Sequence, residues 1–412
     1  MSMIFIDADW RGLDGPQRVG VARISTVRGR ETLAFAFDPD WLSQYGGLML
    51  DPLLLATTGW HYPSVGGLPG ILHDSAPDRW GRVLMRRRET EHARREGRPE
   101  RSLTDADFLL GVSDATRSGG LRFRTAADGP FLAESTGAEV PPMTSLRKLE
   151  SVARRIDADG EAAWSDEMEL LLAPGSSLGG ARPKASVAAP DGSLWVAKFP
   201  SSRDEVDVGA WEDLTYHLAG LCGLRTAEAR SESYSRHGHT FLIRRFDRDG
   251  PVRIHFASAM CLLGSKDGDG AGTGIGYLDL ADLILRISAS PGEDLQELWR
   301  RIVFGILVKN TDDHLRNHGF LLGPGGWRLS PLFDVNPTPW GTALALNITE
   351  SSNLLDLVLA LEVAPHFRIV PPDADRFIAT CRKVLSTWKS MAQERGLPRS
   401  EIALMARALQ EK

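Results

Sequence analysis

The apolar run Ile302-Val303-Phe304-Gly305-Ile306-Leu307-Val308 leads straight into a polar stretch, Asn310-Thr311-Asp312-Asp313-His314-Leu315-Arg316-Asn317, and a second apolar run, Phe320-Leu321-Leu322, leaves it. Runs of that kind bury themselves as helix or strand, so the polar residues between them are held at both ends by a hydrophobic core. Asn and Asp are common in turns for local backbone reasons alone. A polar cluster pinned between two buried elements reads instead as a site. A second acidic element follows, where the strand pattern Trp327-Arg328-Leu329 passes through Ser330-Pro331-Leu332-Phe333 to Asp334.

Asp312 and Asn317 stand five positions apart, and with Asp334 they supply what phosphoryl transfer requires. One carboxylate orients and deprotonates the attacking hydroxyl, and two oxygen ligands hold Mg²⁺ against the phosphates of ATP. Protein kinases space their catalytic-loop Asp and Asn in this way and take their principal metal ligand from a later strand-end Asp. Asn317 and Asp334 are therefore the candidate metal ligands, and Asp312 the candidate base. Upstream, Gly175-Ser176-Ser177-Leu178-Gly179-Gly180-Ala181-Arg182-Pro183-Lys184 is glycine-rich but lacks the Gly-Lys-Ser/Thr ending of a Walker loop, and a strand follows it where that loop needs a helix. A loop entering a β-hairpin is the kinase arrangement, in which backbone N–H groups cover the phosphates and glycine permits close approach. Nucleotide contacts are accordingly expected from Ser177, Leu178, Gly179, Gly180, Ala181, Arg182 and Lys184. Lys198, at the end of the second hairpin strand, is placed to pair with the α/β-phosphates. Glu212 on the next helix is its candidate partner, with Glu205, Asp207 and Asp213 competing for that role. The strand Phe241 to Asp247 would form the hinge, with Arg244 and Phe246 near the purine.

The 412-residue length allows two or three domains, and 42% hydrophobic with 25% charged residues is ordinary for a folded chain. A formal charge of −6 argues against a surface devoted to nucleic acid or membrane. The exception is Arg79 to Arg101, with nine Arg against four Glu, which reads as a solvated helix of Glu–Arg pairs. Cys222, Cys261 and Cys381 are far apart and form no Cys-x-x-Cys pair, against a disulfide framework or zinc site. No apolar run is long enough to span a bilayer, and Asp7 and Asp9 stand where a signal peptide would be basic, so a cytoplasmic protein is expected.

Strand patterns at Met3 to Ile6, Val19 to Ile24 and Leu33 to Phe37 predict a small antiparallel sheet, followed by a helix from Asp78 through Arg95. The stretch Thr125 to Thr144 has no sustained apolar period and reads as a linker. A helix over Leu146 to Ile156 then leads to the hairpin Lys184 to Ala189 and Leu194 to Phe199, turned by Pro190-Asp191-Gly192-Ser193. Gly209 to Leu221 is an amphipathic helix, and two strands follow near 230–234 and 240–246. The chain is mostly helical in pattern from Leu278 onward. Gly264 to Gly276 is expected to be a mobile loop, too polar to pack.

Several motifs together make the sequence resemble the HipA-like serine/threonine kinases, the toxin half of bacterial HipBA-type toxin–antitoxin pairs. They are Gly179-Gly180-Ala181-Arg182-Pro183-Lys184, Val196-Ala197-Lys198-Phe199, Arg245-Phe246-Asp247-Arg248, the stretch Asn310 to Asn317, and Leu329 to Asp334. Asp74-Ser75-Ala76-Pro77-Asp78-Arg79-Trp80-Gly81-Arg82 and the segment Leu109 to Phe123 are similar to that family's N-terminal subdomain. The resemblance spans essentially the whole chain. It implies an α+β, protein-kinase-like two-lobed fold with a small N-terminal α/β subdomain (1–135) and a kinase domain (145–412), the latter with an N-lobe to about 250 and a helical C-lobe. It implies ATP and Mg²⁺ as cofactors, Asp312 as catalytic base, Lys198 as phosphate-pairing lysine, and His314 as a further nucleotide contact. It also implies autophosphorylation of a loop serine, Ser177 here with Ser176 beside it, that expels the loop and switches the kinase off. Arg244 departs from the family, which often has an acidic residue there. Implied partners are a HipB-like helix-turn-helix antitoxin, DNA mainly through that antitoxin, and a host protein substrate, an aminoacyl-tRNA synthetase in some relatives. The competing readings are a catalytically weak corepressor scaffold and a small-molecule kinase, and the N-terminal Ser-Ala-Pro-Asp-Arg-Trp-Gly segment counts against the latter.

Overall fold

The computed structural model describes residues 2–27, 30–52, 54–62, 67–132, 140–158, 171 and 180–409. The chain forms two compact units. One comprises Met1–Arg203, Arg244–Ala257 and Leu322–Pro324, and the other Asp204–Ile243, Ser258–Leu321 and Gly325–Lys412.

In the first unit, β1 (Ser2–Ala8), β2 (Gln17–Val27), β3 (Arg30–Phe37) and β4 (Leu121–Arg124) form an antiparallel sheet in the order β3-β2-β1-β4. Alternation along β1 buries Ile4 and Ile6, and Ile6 lies opposite Phe123, which is also buried. Asp7 is buried as well, because Arg18 and Arg124 donate to its two oxygens at 3.0 and 2.9 Å. The basic stretch is the helix α1 (Arg79–Glu96), capped by Asp78, whose carboxylate accepts from the N–H of Gly81, and ended by Gly97 at φ +63°. Its arginines pair locally as expected: Arg94 and Arg95 with Glu91, and Arg98, beyond the helix, with Glu89. The helix Leu146–Ala158, α2, buries Leu149, Val152 and Ile156.

The predicted hairpin is present as β5 (Lys184–Ala188) and β6 (Leu194–Lys198), with Lys184 opposite Lys198. Its turn is closed by Asp191, which accepts from the backbone and hydroxyl of Ser193, while Gly192 takes φ +81°. Of the expected linker, residues 133–139 lie outside the described residues.

In the second unit, Asp207 caps the helix Val208–Leu221 (α3) by accepting from Ala210, and the strands β7 (Ala229–Ser235) and β8 (Gly238–Arg244) pair antiparallel. The helices α4 (Tyr277–Ile287) and α5 (Pro291–Val308) follow. The run Ile302–Val308 is thus helix, and it is apolar on all sides because the end of α5 is buried all round. Lys309, at φ +51°, ends that helix. Strands β9 (Gly319–Gly323) and β10 (Gly326–Leu329) come next, and the helices α6 (Pro371–Leu385), α7 (Trp388–Glu394) and α8 (Arg399–Met405) close the chain.

Two expectations need correction. The stretch 335–355 carries no helix but an irregular path of isolated bridges. Gly264 to Gly276, expected as loose, contains a 3-10 turn at Ala271–Thr273 and is tied to 345–347 by bonds from Ala271 N to Ala345 O (2.9 Å) and from Asn347 N to Ile275 O (3.2 Å). Backbone bonds supply what its side chains lack. Among the described residues no helix is long and apolar enough to cross a membrane.

Candidate active site

The catalytic-loop candidates of the second unit come together around one short loop. After α5 the chain turns at Lys309 and Asn310, exposes Asp312, buries Asp313, and makes a 3-10 turn at Leu315–Asn317. The Asn317 amide donates to the carbonyl of Asp312 at 3.0 Å, and His314 N–H donates to the same carbonyl at 2.9 Å. That assignment of the Asn317 amide leaves its oxygen as the acceptor free to face a cation.

Asp334 sits at φ +59°, a left-handed conformation that a non-glycine residue holds only where its surroundings impose it. Those surroundings include Asn336, whose side-chain amide reaches the Asp334 carboxylate at 3.4 Å and whose backbone N–H donates to the buried Asn310 at 3.2 Å. Thr338 N–H also donates to the carbonyl of Lys309, so the chain after Asp334 is laced to the start of the 310–317 loop.

The pKa of Asp312 is raised. Partial loss of hydration is the largest cause, and the negative charges of Asp334 and Asp313 add to it, against opposing His314 and Arg316. Carboxylates crowded in this way, beside an amide oxygen, are a hard-oxygen donor set that suits Mg²⁺, whose charge would offset their repulsion. The residues present therefore fit the metal, which Asp334 and Asn317 would hold. His314 Nδ1 is buried without a hydrogen-bond partner among the described residues, a polar atom left for a ligand. Arg316 is turned aside, paired at 2.5 Å with Asp267 from the glycine-rich segment.

The remaining candidates belong to the first unit. Lys198 is half-buried at the end of β6. Lys184 is buried and paired with Asp78 at 3.1 Å. Trp80 donates from its indole to the carbonyl of Lys184 at 3.1 Å, and from its backbone to that of Gly180 at 3.4 Å, so the Asp74 to Arg82 motif anchors the exit of the glycine-rich loop. Gly180 takes φ +86° there, Ala181 is exposed and Arg182 half-buried. Ser176, Ser177, Leu178 and Gly179 lie outside the described residues. Arg244 is exposed, and Phe246 is half-buried with its ring 6.2 Å from that of Phe256.

Of the four acids near α3, Glu205 is exposed, Asp207 serves the helix cap and His239, and Asp213 takes Ser231 and Arg395. Glu212 is the buried one.

Sequence reasoning missed Tyr277, Asp313 and His318, which form a buried cluster under the loop: the Tyr277 hydroxyl donates to Asp313 at 2.6 Å, and His318 Nε2 lies 3.1 Å from the same oxygen. A signal existed for two of them, since Asp313 and His318 repeat the five-residue spacing of Asp312 and Asn317. Nothing local marks Tyr277. The Arg245-Phe246-Asp247-Arg248 motif also proved to be a buried ion network. Asp247 accepts from Arg245, Arg248 and the Gly119 backbone, and Arg245 and Arg248 both reach the carbonyl of Arg117.

Comparison with known proteins bears on the same residues. The profile of the HipA-like C-terminal domain matches residues 176–410. Y4mE of Sinorhizobium fredii, by its name a candidate kinase, is 30% identical over 188 residues, and the match spans 39% of this chain and 42% of that protein. Among solved structures, HipA of Shewanella oneidensis MR-1, seen in complex with HipB and its operator DNA, has a TM-score of 0.65 at 17% identity, over 96% of this chain and 94% of that one. At that identity the likeness is one of fold.

Proposed function

This chain belongs to the HipA-like family, and on that premise we propose that it is an ATP- and Mg²⁺-dependent serine/threonine protein kinase, the toxin of a type II toxin–antitoxin module. The observation that carries the reading is the convergence of Asp312, Asn317 and the Asp334 charge on one loop, with the Asp312 carboxyl held more basic than usual. A base of raised pKa takes the proton of an attacking hydroxyl more readily.

In this reading Asp312 orients the acceptor hydroxyl of a host protein and accepts its proton. Asn317 and Asp334 hold Mg²⁺, which when bound neutralises charge on the nucleotide phosphates. Lys198 pairs with the α/β-phosphates. The Ser177 to Lys184 segment covers the phosphates, His314 contacts the nucleotide, and Arg244 and Phe246 line the purine end. Phosphorylation of Ser177 adds about −1.5 to −2 charges to that loop and expels it from the nucleotide site. The partner is a HipB-like helix-turn-helix antitoxin, through which the complex meets DNA. The Shewanella HipA occurs in such a complex with HipB and operator DNA, which supports the reading.

The test is transfer of labelled γ-phosphate from ATP with Mg²⁺, read by mass spectrometry, together with growth after expression without the antitoxin. Wild type should label Ser177 and slow growth, and Asp312→Ala should do neither. Equal toxicity of the two proteins, or label only at other sites, would defeat the corresponding part of the proposal.

A further inference from the structure

The reading above assigns no task to the carboxylate next to Asp312. Asp312 and Asp313 are neighbours that point opposite ways, the first exposed and the second 5% exposed. Burying a carboxylate is unfavourable unless it is fully hydrogen-bonded, and here Asp313 is met by Tyr277 and His318 on one oxygen. A carboxylate only accepts, so His318 Nε2 carries a proton and donates. Burial alone would raise the pKa of Asp313, but attraction and hydrogen bonding from His318, with the Tyr277 bond, bring it below the usual range. The group is a buried anion with dedicated donors.

The spacing gives the cluster its meaning. The bond from Asn317 to the carbonyl of Asp312 and the bond from His318 to Asp313 both join residues five apart, so the loop is cross-braced twice, once at its surface and once beneath it. The lower brace is fixed from outside. Tyr277 is fully buried at the start of α4, its backbone N–H donates to Asn347 at 2.8 Å, and its ring meets His318 edge-on at 5.7 Å. The carbonyl of His318 accepts from Ala259 at 2.7 Å.

We infer that Asp313, clasped by Tyr277 and His318, is a positioning residue that sets the separation of Asp312 and Asn317 from below. For its effect on turnover the inference rests on the kinase reading, while for its effect on the loop it rests on geometry alone. Misplacing a reacting group by about 1 Å is worth about 10²-fold in rate.

The experiment compares the full-length wild type with Asp313→Asn, Tyr277→Phe and His318→Gln. The readouts are phosphate release and self-labelling from γ-labelled ATP with Mg²⁺, ATP affinity by calorimetry, and amide hydrogen exchange over residues 311–318. Asp313→Asn should lower the rate about 10- to 100-fold while ATP affinity changes less than about threefold, and Tyr277→Phe, which removes one oxygen, should have the same pattern with a smaller loss. Loop amides should exchange about tenfold faster in both variants, as local opening becomes easier. A lower melting temperature with an unchanged rate per folded molecule would overturn the inference, since that is what a merely structural cluster would give. If the wild type transfers no phosphate, the kinase reading fails and exchange alone judges the brace: unchanged loop protection in Asp313→Asn would overturn it. Should Asp313→Asn not fold, Tyr277→Phe decides by the same criteria.

Discussion

The carboxylates Asp247 and Asp312 sit in opposite electrostatic surroundings. Around Asp247, in the first unit, carboxylates are outnumbered by arginines that donate to them. Arg245 and Arg248 donate to the carboxylate, Arg253 and Arg122 share Asp114, and Arg117 gives its guanidinium to the carbonyls of Ser75, Leu109 and Val112. Burial opposes ionisation of Asp247, yet the arginines take its pKa far below the carboxylate range. Around Asp312, in the second unit, acids are gathered with too little positive charge to match, and the pKa moves up. The first pattern holds segments distant in sequence together. The second keeps a carboxylate basic, and crowding of that kind is what catalytic sites carry.

The largest effect that could break this contrast is expected at Asp334. Asp334→Ala should lower phosphate transfer by about 10³-fold or more, because positioning and charge stabilisation carry this chemistry and few groups supply them. The melting temperature should hardly move. Near-normal transfer would mean that Asp334 is not part of the site.

Asp247→Ala should do the reverse. It leaves Arg245 and Arg248 buried without their counter-charge, a loss of about 3–5 kcal/mol in denaturant unfolding, while the rate per folded molecule stays close to wild type. A loss below about 1 kcal/mol would place Asp247 among ordinary surface pairs.

Next comes pH. His255 is buried against Trp10, with ring centroids 4.6 Å apart, and burial lowers its pKa to about 3. The folded state therefore prefers neutral histidine, so this contribution is complete above the unfolded value near 6.5 and is lost as pH falls toward 3. Between pH 7 and pH 5 the loss should be about 2 kcal/mol. His255→Phe, which keeps a ring on Trp10, should flatten that slope, and an unchanged slope would assign it to other groups. The smallest effect is expected on α1, where the exposed Arg94 and Arg95 cover the carboxylate of Glu91. Glu91→Gln should leave melting almost unchanged in high salt.

These regions also differ in how far the sequence disclosed them. The hairpin β5–β6 was legible because alternation and Pro-Asp-Gly turn chemistry are local, and the grouping of Asp312 with Asn317 was legible because both lie in one short loop. Asp247 was noticed only as part of a motif, since its partners Gly119, Arg245 and Arg248 combine neighbours with a residue 128 positions away. Tyr277 reaches Asp313 across 36 positions, with no periodicity to announce it. The Gly264 to Gly276 segment misled for another reason. Its order comes from backbone bonds to 345–347, which any composition can make.

The central claim, that the charge of Asp312 is kept against the interest of the fold, is tested most directly by urea unfolding of Asp312→Asn at pH 7. A carboxyl whose folded pKa is raised loses stability as pH rises through that value, so at pH 7 its ionised form disfavours the folded state. The account predicts that the neutral, nearly isosteric amide leaves the protein at least as stable as wild type while phosphate transfer is lost. A variant clearly less stable than wild type would contradict it, because the Asp312 charge would then be answered within the fold as that of Asp247 is.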